Sequence, residues 1–175
     1  MTKLSDLSNL LKKSNDQGRE ISKLIGNKPM HTGRIGEFIA ANIFKIKLHP
    51  NARTEGSDGI FRNFPPCKNT VNIKWYTRRE SILSMKKDGV EPSYYLVMTG
   101  PEKRCKEISR PLVIRSVFLF NTEELRKDLK VEIKRNATSI NKGLWEKARI
   151  YPANTNKTLI LTSEEKGKLE MFCQI

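Results

Sequence analysis

The order of hydrophobic patterns along this 175-residue chain predicts an α/β sandwich built around a mixed sheet. Three observations carry that expectation. Apolar residues recur at helical spacing as far as Ile43, short strand-like runs separated by breakers fill the stretch from Leu48 to Phe120, and helical spacing then returns. An α+β arrangement of the same elements fits the same order.

At the N-terminus, Leu4, Leu7, Leu10, Leu11, Ile21, Leu24 and Ile25 recur at helical intervals. The polar run from Lys12 to Gln17 interrupts them and Gly26-Asn27 is a stop signal, so one or two amphipathic helices are expected. In the next segment Thr32 is placed to cap a helix whose apolar stripe is Ile35, Phe38, Ile39 and Ile43. Gly33, Gly36, Ala40 and Ala41 keep another flank of that helix thin enough to lie close to a sheet.

Ile60-Phe61 and Val71 to Tyr76 predict strands on either side of a turn containing Pro65-Pro66. Further strands are expected over Tyr94 to Thr99 and Val113 to Phe120. A charged helix follows from Thr122, again a plausible cap, to Lys134, with Leu125, Leu129 and Ile133 stacked at four-residue spacing. Leu144 to Tyr151 fits a short helix running into a strand, and Thr158 to Leu161 fits either a strand or the entry to a helix. Ser163-Glu164-Glu165 opens a last helix ending near Phe172.

The length suits one domain with a proper core. Its expected parts are a helical region over 1–27, a core over 30–120 and a helix and strand region over 121–175. Lys and Arg outnumber Asp and Glu by 33 to 19, a formal charge of +14, and such an excess points to a polyanionic partner, with nucleic acid foremost. No stretch approaches the ~20 apolar residues of a membrane span, and Met1 to Asp6 carry no signal-peptide apolar core, so a cytoplasmic protein without a membrane partner is expected. Cys67, Cys105 and Cys173 are odd in number and widely spaced, and the only histidines are His31 and His49. Neither a disulfide framework nor a zinc site is supported, and all five residues read as packing or surface.

One constellation carries chemistry: Glu37, then Ser57-Asp58-Gly59, then Asn72-Ile73-Lys74. Strand alternation puts Asn72 and Lys74 on one face, facing a cleft, and Val71, Ile73 and Trp75 on the other, facing the core. A hairpin through residues 63–69 would bring Asp58 beside Asn72 and Lys74, with Gly56 and Gly59 leaving room for a phosphate or a sharp bend. A cation held by Asp58 and the Ile73 carbonyl would then lie next to the Lys74 ammonium. Phosphodiester cleavage needs these parts: oxygen ligands for a divalent metal, and a cation against the charge of the transition state.

Over residues 33 to 76 these positions resemble the helix Glu, the central Asp and the (D/E)-x-K of the PD-(D/E)xK restriction-endonuclease-like superfamily. The segment Gly33-Arg34-Ile35-Gly36-Glu37-Phe38-Ile39-Ala40 is similar to the opening helix of small stand-alone members. The resemblance implies a three-layer sandwich with a central mixed sheet flanked by helices. It also implies Mg²⁺, replaceable by Mn²⁺, held by Asp58, Glu37, Asn72 and the Ile73 carbonyl, with Lys74 positioning or activating the attacking water. Two positions depart from the family pattern. Ser57 stands where Pro is usual, and the neutral Asn72 stands where an acid is usual, so Glu37 or Glu55 would have to supply negative charge.

The implied activity is a Mg²⁺-dependent endodeoxyribonuclease of type II restriction kind acting on double-stranded DNA. A cognate DNA methyltransferase acting on the same site would accompany such an enzyme. Alternatives are a structure-specific repair or recombination nuclease of the same superfamily and a catalytically impaired basic DNA-binding domain. Two cuts on opposite strands suit a homodimer, with Leu4 to Ile25 as its candidate contact. DNA contacts are expected from Arg34, Arg53, Arg78, Arg79 and Lys142, with Lys86, Lys87, Arg104, Lys106, Arg110, Lys147 and Arg149 adding charge. Tyr76 and Trp145 are candidates for stacking on bases, while Trp75 alternates into the apolar set and belongs to the core.

Overall fold

The computed structural model describes residues 3–50, 56–63, 69–79, 81–85, 90–102, 112–129 and 137–173. The elements, in order, are α1 (Lys3–Leu24), α2 (Thr32–Ile43), β1 (Ile46–Leu48), β2 (Gly59–Phe61), β3 (Thr70–Tyr76), β4 (Ile82–Leu83) and β5 (Tyr94–Thr99). They continue with β6 (Ser116–Asn121), α3 (Thr122–Leu129), β7 (Thr138–Ser139), α4 (Lys142–Ala148), β8 (Arg149–Tyr151) and α5 (Ser163–Glu170). The main sheet has the order β1-β2-β3-β5-β6-β8, and β4 and β7 form a separate antiparallel pair.

The sheet is mixed. Strands β1, β2 and β3 are antiparallel neighbours, β3 and β5 are parallel, and β5, β6 and β8 are again antiparallel. The parallel pair lies at the centre and is covered on both sides, which is why β5 reads as the nearly unbroken apolar run Tyr94-Tyr95-Leu96-Val97-Met98. One face carries Val71, Ile73, Trp75, Leu96 and Met98 against Ile39, Ala40 and Ile43 of α2 and Leu169 of α5. The other carries Tyr95, Val97, Phe118 and Phe120 against Leu125 of α3 and Trp145 and Ala148 of α4. Helices therefore cover both faces, and the α/β expectation holds at this level.

Close approach explains the glycine in α2. A Cβ at Gly36 would lie 3.1 Å from the Trp75 Cβ and 3.4 Å from the Met98 Cε, so the helix crosses β3 at the level of Trp75. At the end of α2, Lys45 adopts φ +53°, and its carbonyl accepts from the Arg62 N–H at 3.1 Å as the chain turns into β1. Among the described residues no helix is long and apolar enough to cross a membrane.

Several expectations need correction. The N-terminal region is a single helix, one of the two arrangements expected, and its leucine stripe is exposed rather than packed: among the described residues α1 has no buried side chain. His31 caps α2 in place of Thr32, its Nδ1 accepting from the Arg34 N–H at 3.3 Å. Asn121 serves α3 in place of Thr122: its Oδ1 accepts from the Glu124 N–H at 3.1 Å, while the Thr122 hydroxyl donates to the Pro92 carbonyl at 2.6 Å. The strand expected from Val113 begins at Ser116, and Thr158 to Leu161 is neither strand nor helix, the capping box of α5 starting only at Thr162. Strand β1 and the β4–β7 pair were not anticipated, since two or three residues are too few to show a period. The Pro65-Pro66 turn and residues 130–134 of the charged helix lie outside the described residues.

Candidate functional site

The ladder between β2 and β3 pairs Gly59 with Val71 and Ile60 with Thr70. At Asp58 this ladder becomes irregular, because Asp58 as well as Gly59 falls opposite Val71. The Asp58 N–H donates to the Val71 carbonyl at 2.9 Å, and the Asp58 Oδ2 accepts from the Ile73 N–H at 2.6 Å. The carboxylate thus takes the place that a backbone carbonyl would occupy if β2 began earlier. In an extended strand a residue directs its N–H and its C=O to the same edge, so the Ile73 carbonyl also faces the edge where Asp58 sits.

Past Ile73 the two strands part. Lys74, Trp75 and Tyr76 continue the pairing with Val97, Met98 and Thr99 of β5, but no described strand flanks them on the β2 side. Lys74 is half-buried on the face it shares with Asn72. The alternation expected for β3 holds, with Val71, Ile73 and Trp75 in the core on the opposite face. Asn72 departs from expectation in one respect: it is buried, at 8% exposure, rather than facing an open cleft. Tyr95, its partner on β5, is equally covered, because the sheet is packed on this side too. Among the described residues the Asn72 Oδ1 has no hydrogen-bond partner, although a buried acceptor left so costs about 1–3 kcal/mol.

Glu37 sits on α2, which packs on the Ile73 and Trp75 face rather than the Lys74 face. It follows Gly36 and so lies at the level of Trp75, where β3 has no β2 neighbour. Its carboxylate, with the side chain 19% exposed, pairs with Arg34 Nη1 at 2.9 Å. A helical pair of this spacing is worth only about 0.2–0.5 kcal/mol, so Glu37 can exchange it for another cation. Asp58, Asn72, Ile73 and Lys74 are thus gathered at one fork of the sheet, whereas Glu37 stands on the helix packed on the opposite face and pairs with Arg34, and Glu55 lies outside the described residues.

These donors suit a hard cation. One carboxylate, one backbone carbonyl and an orphaned amide oxygen are all oxygen ligands, and Mg²⁺ is commonly held by one or two carboxylates with waters and substrate phosphates completing its shell. No cluster of three His, Cys, Asp or Glu occurs among the described residues, so a cation here would rely on neutral oxygens and on the substrate.

A residue read from sequence as packing or surface enters the site from β1. The His49 N–H donates to the Asp58 carbonyl at 2.9 Å, continuing the β1–β2 ladder, and its Nε2 lies 3.1 Å from the Ser57 Oγ. Its signal in the sequence was only its position directly after Ile46-Lys47-Leu48, an alternation too short to identify as a strand.

Among the described residues, four of the candidate basic side chains are engaged in ion pairs. Arg34 holds Glu37, Arg79 pairs with Glu102 at 2.8 Å and lies over the Phe118 ring at 6.0 Å, and Lys147 binds Asp128 at 3.1 Å. Arg149 pairs with Glu146, Arg78 is half-buried, and Lys142 is exposed in the first turn of α4. Arg53, Lys86, Lys87, Arg104, Lys106 and Arg110 lie outside the described residues. Trp145 is not available for stacking on bases: it is buried edge-on between Phe118 and Phe120, at 4.7 and 5.0 Å between ring centroids. The Tyr76 hydroxyl is likewise used, accepting from the Ser84 N–H at 2.9 Å, and Trp75 is in the core as expected. No protein-family model matches the chain, and no curated protein matches its sequence.

Proposed function

We propose that the chain is a Mg²⁺-dependent endodeoxyribonuclease of the PD-(D/E)xK restriction-endonuclease-like kind, cutting double-stranded DNA in the cytoplasm, with Mn²⁺ able to substitute. The observation that carries this reading is the Asp58 to Ile73 hydrogen bond, because it fixes the one carboxylate of the fork against the strand that bears Asn72 and Lys74. The antiparallel run β1-β2-β3 followed by a parallel β5, with helices on both faces, supports the corresponding three-layer fold.

In this reading Asp58, the Ile73 carbonyl, Asn72 Oδ1 and Glu37 hold the metal, which when bound polarises the scissile phosphate and lowers the pKa of a coordinated water. Lys74 places its ammonium against the phosphate, orients the attacking water and opposes the negative charge that grows in the transition state. Burial of Asn72 and Ile73 excludes bulk water from one side of the fork and strengthens these interactions. Arg34, Arg53, Arg78, Arg79 and Lys142 supply phosphate contacts, with Arg34 and Arg79 exchanging Glu37 and Glu102 for DNA. A net charge of +14 favours that exchange and makes binding fall steeply with salt.

A homodimer joined through α1 would supply the two sites that a double-strand cut needs, and a DNA methyltransferase acting on the same sequence would protect the host. The neutral, buried Asn72 favours a second reading, a basic DNA-binding domain with an impaired metal site. Digestion of plasmid DNA separates the possibilities. Discrete Mg²⁺-dependent fragments support the restriction reading, cutting confined to junctions or flaps supports a structure-specific repair nuclease, and binding without nicking supports the impaired domain.

A further inference from the structure

We infer that His49 is a positioning residue for the metal-binding carboxylate, acting on Asp58 through the hydroxyl of Ser57; the inference rests on the nuclease reading. Asp58 is held on two sides. From β3 it is fixed by the Val71 carbonyl and the Ile73 N–H, which occupies one carboxylate oxygen and leaves the other to be aimed. From β1 it is fixed by His49, whose N–H takes the Asp58 carbonyl at 2.9 Å and whose imidazole reaches back to Ser57 at 3.1 Å.

The imidazole contact matters because of what precedes Asp58. Gly56 has φ +73°, so the chain turns sharply there, and Ser57 is the single residue between that turn and the carboxylate. Ser57 is 2% exposed, and a hydroxyl so buried needs a partner, which His49 provides. On the other flank, a Cβ at Gly59 would stand 2.5 Å from the Lys47 carbonyl oxygen and 2.8 Å from the Ile46 Cγ2, so β1 lies close against the chain beside Asp58. Remove the imidazole, and Ser57 can rotate about the Gly56 turn and carry the aim of the Asp58 side chain with it. Partners behind a metal ligand commonly set metal affinity by about 10- to 100-fold.

Mn²⁺ binding to the full chain without DNA, read by the electron paramagnetic resonance of free Mn²⁺, tests this apart from activity. His49→Ala and Ser57→Ala should each weaken Mn²⁺ binding by about tenfold or more. His49→Gln, whose amide can reach the same hydroxyl, should keep most of the affinity. The two alanine changes combined should weaken binding no further than His49→Ala alone, since they break one contact. Thermal melts in EDTA confirm folding, and if His49→Ala does not fold, Ser57→Ala and His49→Gln carry the comparison. Wild-type affinity in both Ser57→Ala and His49→Ala, with Asp58→Ala losing Mn²⁺, overturns the inference and leaves the nuclease reading standing. A wild type that binds no Mn²⁺, or whose binding survives Asp58→Ala, overturns both.

Discussion

Asp58 satisfies the backbone of Ile73 with its side chain, Oδ2 to N–H at 2.6 Å, where β2 has run out and β3 continues. The carboxylate is thereby fixed at a strand edge within one residue of both Asn72 and Lys74. A carboxylate used in this way stabilises the end of the ladder and is held against the strand that bears Asn72 and Lys74.

Asn72→Asp should restore the acid of the resembled motif at a position that is 8% exposed. Without metal the new buried charge should cost about 2 kcal/mol, equivalent to a melting temperature lower by about 4–8 °C for a domain of this size. Mg²⁺ should recover the loss. Melts in EDTA and in Mg²⁺ check this, and a deficit insensitive to Mg²⁺ would place Asn72 outside the metal shell.

Gly59→Ala should destabilise the chain by about 1–3 kcal/mol, because its Cβ would meet the Lys47 backbone oxygen and β1 and β2 cannot part without breaking their ladder. Urea midpoints measure it. A wild-type midpoint would mean that the two strands separate freely.

The fold was legible in the sequence where periods are long. Strands β3 and β5 and helix α2 fall almost where alternation and spacing put them, and the alternation of β3 alone assigned Trp75 to the core. The site was half legible. Asp58, Asn72, Ile73 and Lys74 meet because a hairpin joins them, which local patterns reveal, whereas His49 arrives from a three-residue strand that no window can detect. The burial of Asn72 was hidden for a different reason: its cover, Tyr95 with the α3 and α4 layer, is distant in sequence. Trp145 misled because an aromatic amid charged neighbours looks exposed until Phe118 and Phe120 close around it.

Helix α1 buries none of its side chains, and Leu4, Leu7, Leu10 and Leu11 are each more than half exposed. If this stripe joins two copies, the wild type should sediment as a dimer, and Leu7→Glu combined with Leu11→Glu should give a monomer. The melting temperature measured at low concentration should not change, since both leucines are more than half exposed in one chain. A monomeric wild type would remove α1 from the assembly.

Tyr151 should limit stability in alkali. Its hydroxyl is buried and lies 3.2 Å from the Cys173 Sγ, and burial first, then that hydrogen bond, raises its pKa above the usual phenol value. With the folded value above the unfolded one, the contribution is whole below about pH 10 and is lost as pH rises beyond it. Between about pH 10 and 11 the wild type should lose about 1 kcal/mol more than Tyr151→Phe. Urea titrations at the two pH values test the difference, and parallel losses would show that the phenol ionises freely in the folded protein.

The most direct trial is to incubate the purified protein with supercoiled plasmid, with and without Mg²⁺, beside Asp58→Ala and Lys74→Ala. The wild type should nick or linearise the plasmid only with the metal, while both variants retain DNA binding and lose cleavage by at least about a hundredfold. A wild type that binds the plasmid yet leaves it intact in Mg²⁺ and in Mn²⁺ at every salt concentration would contradict the nuclease assignment.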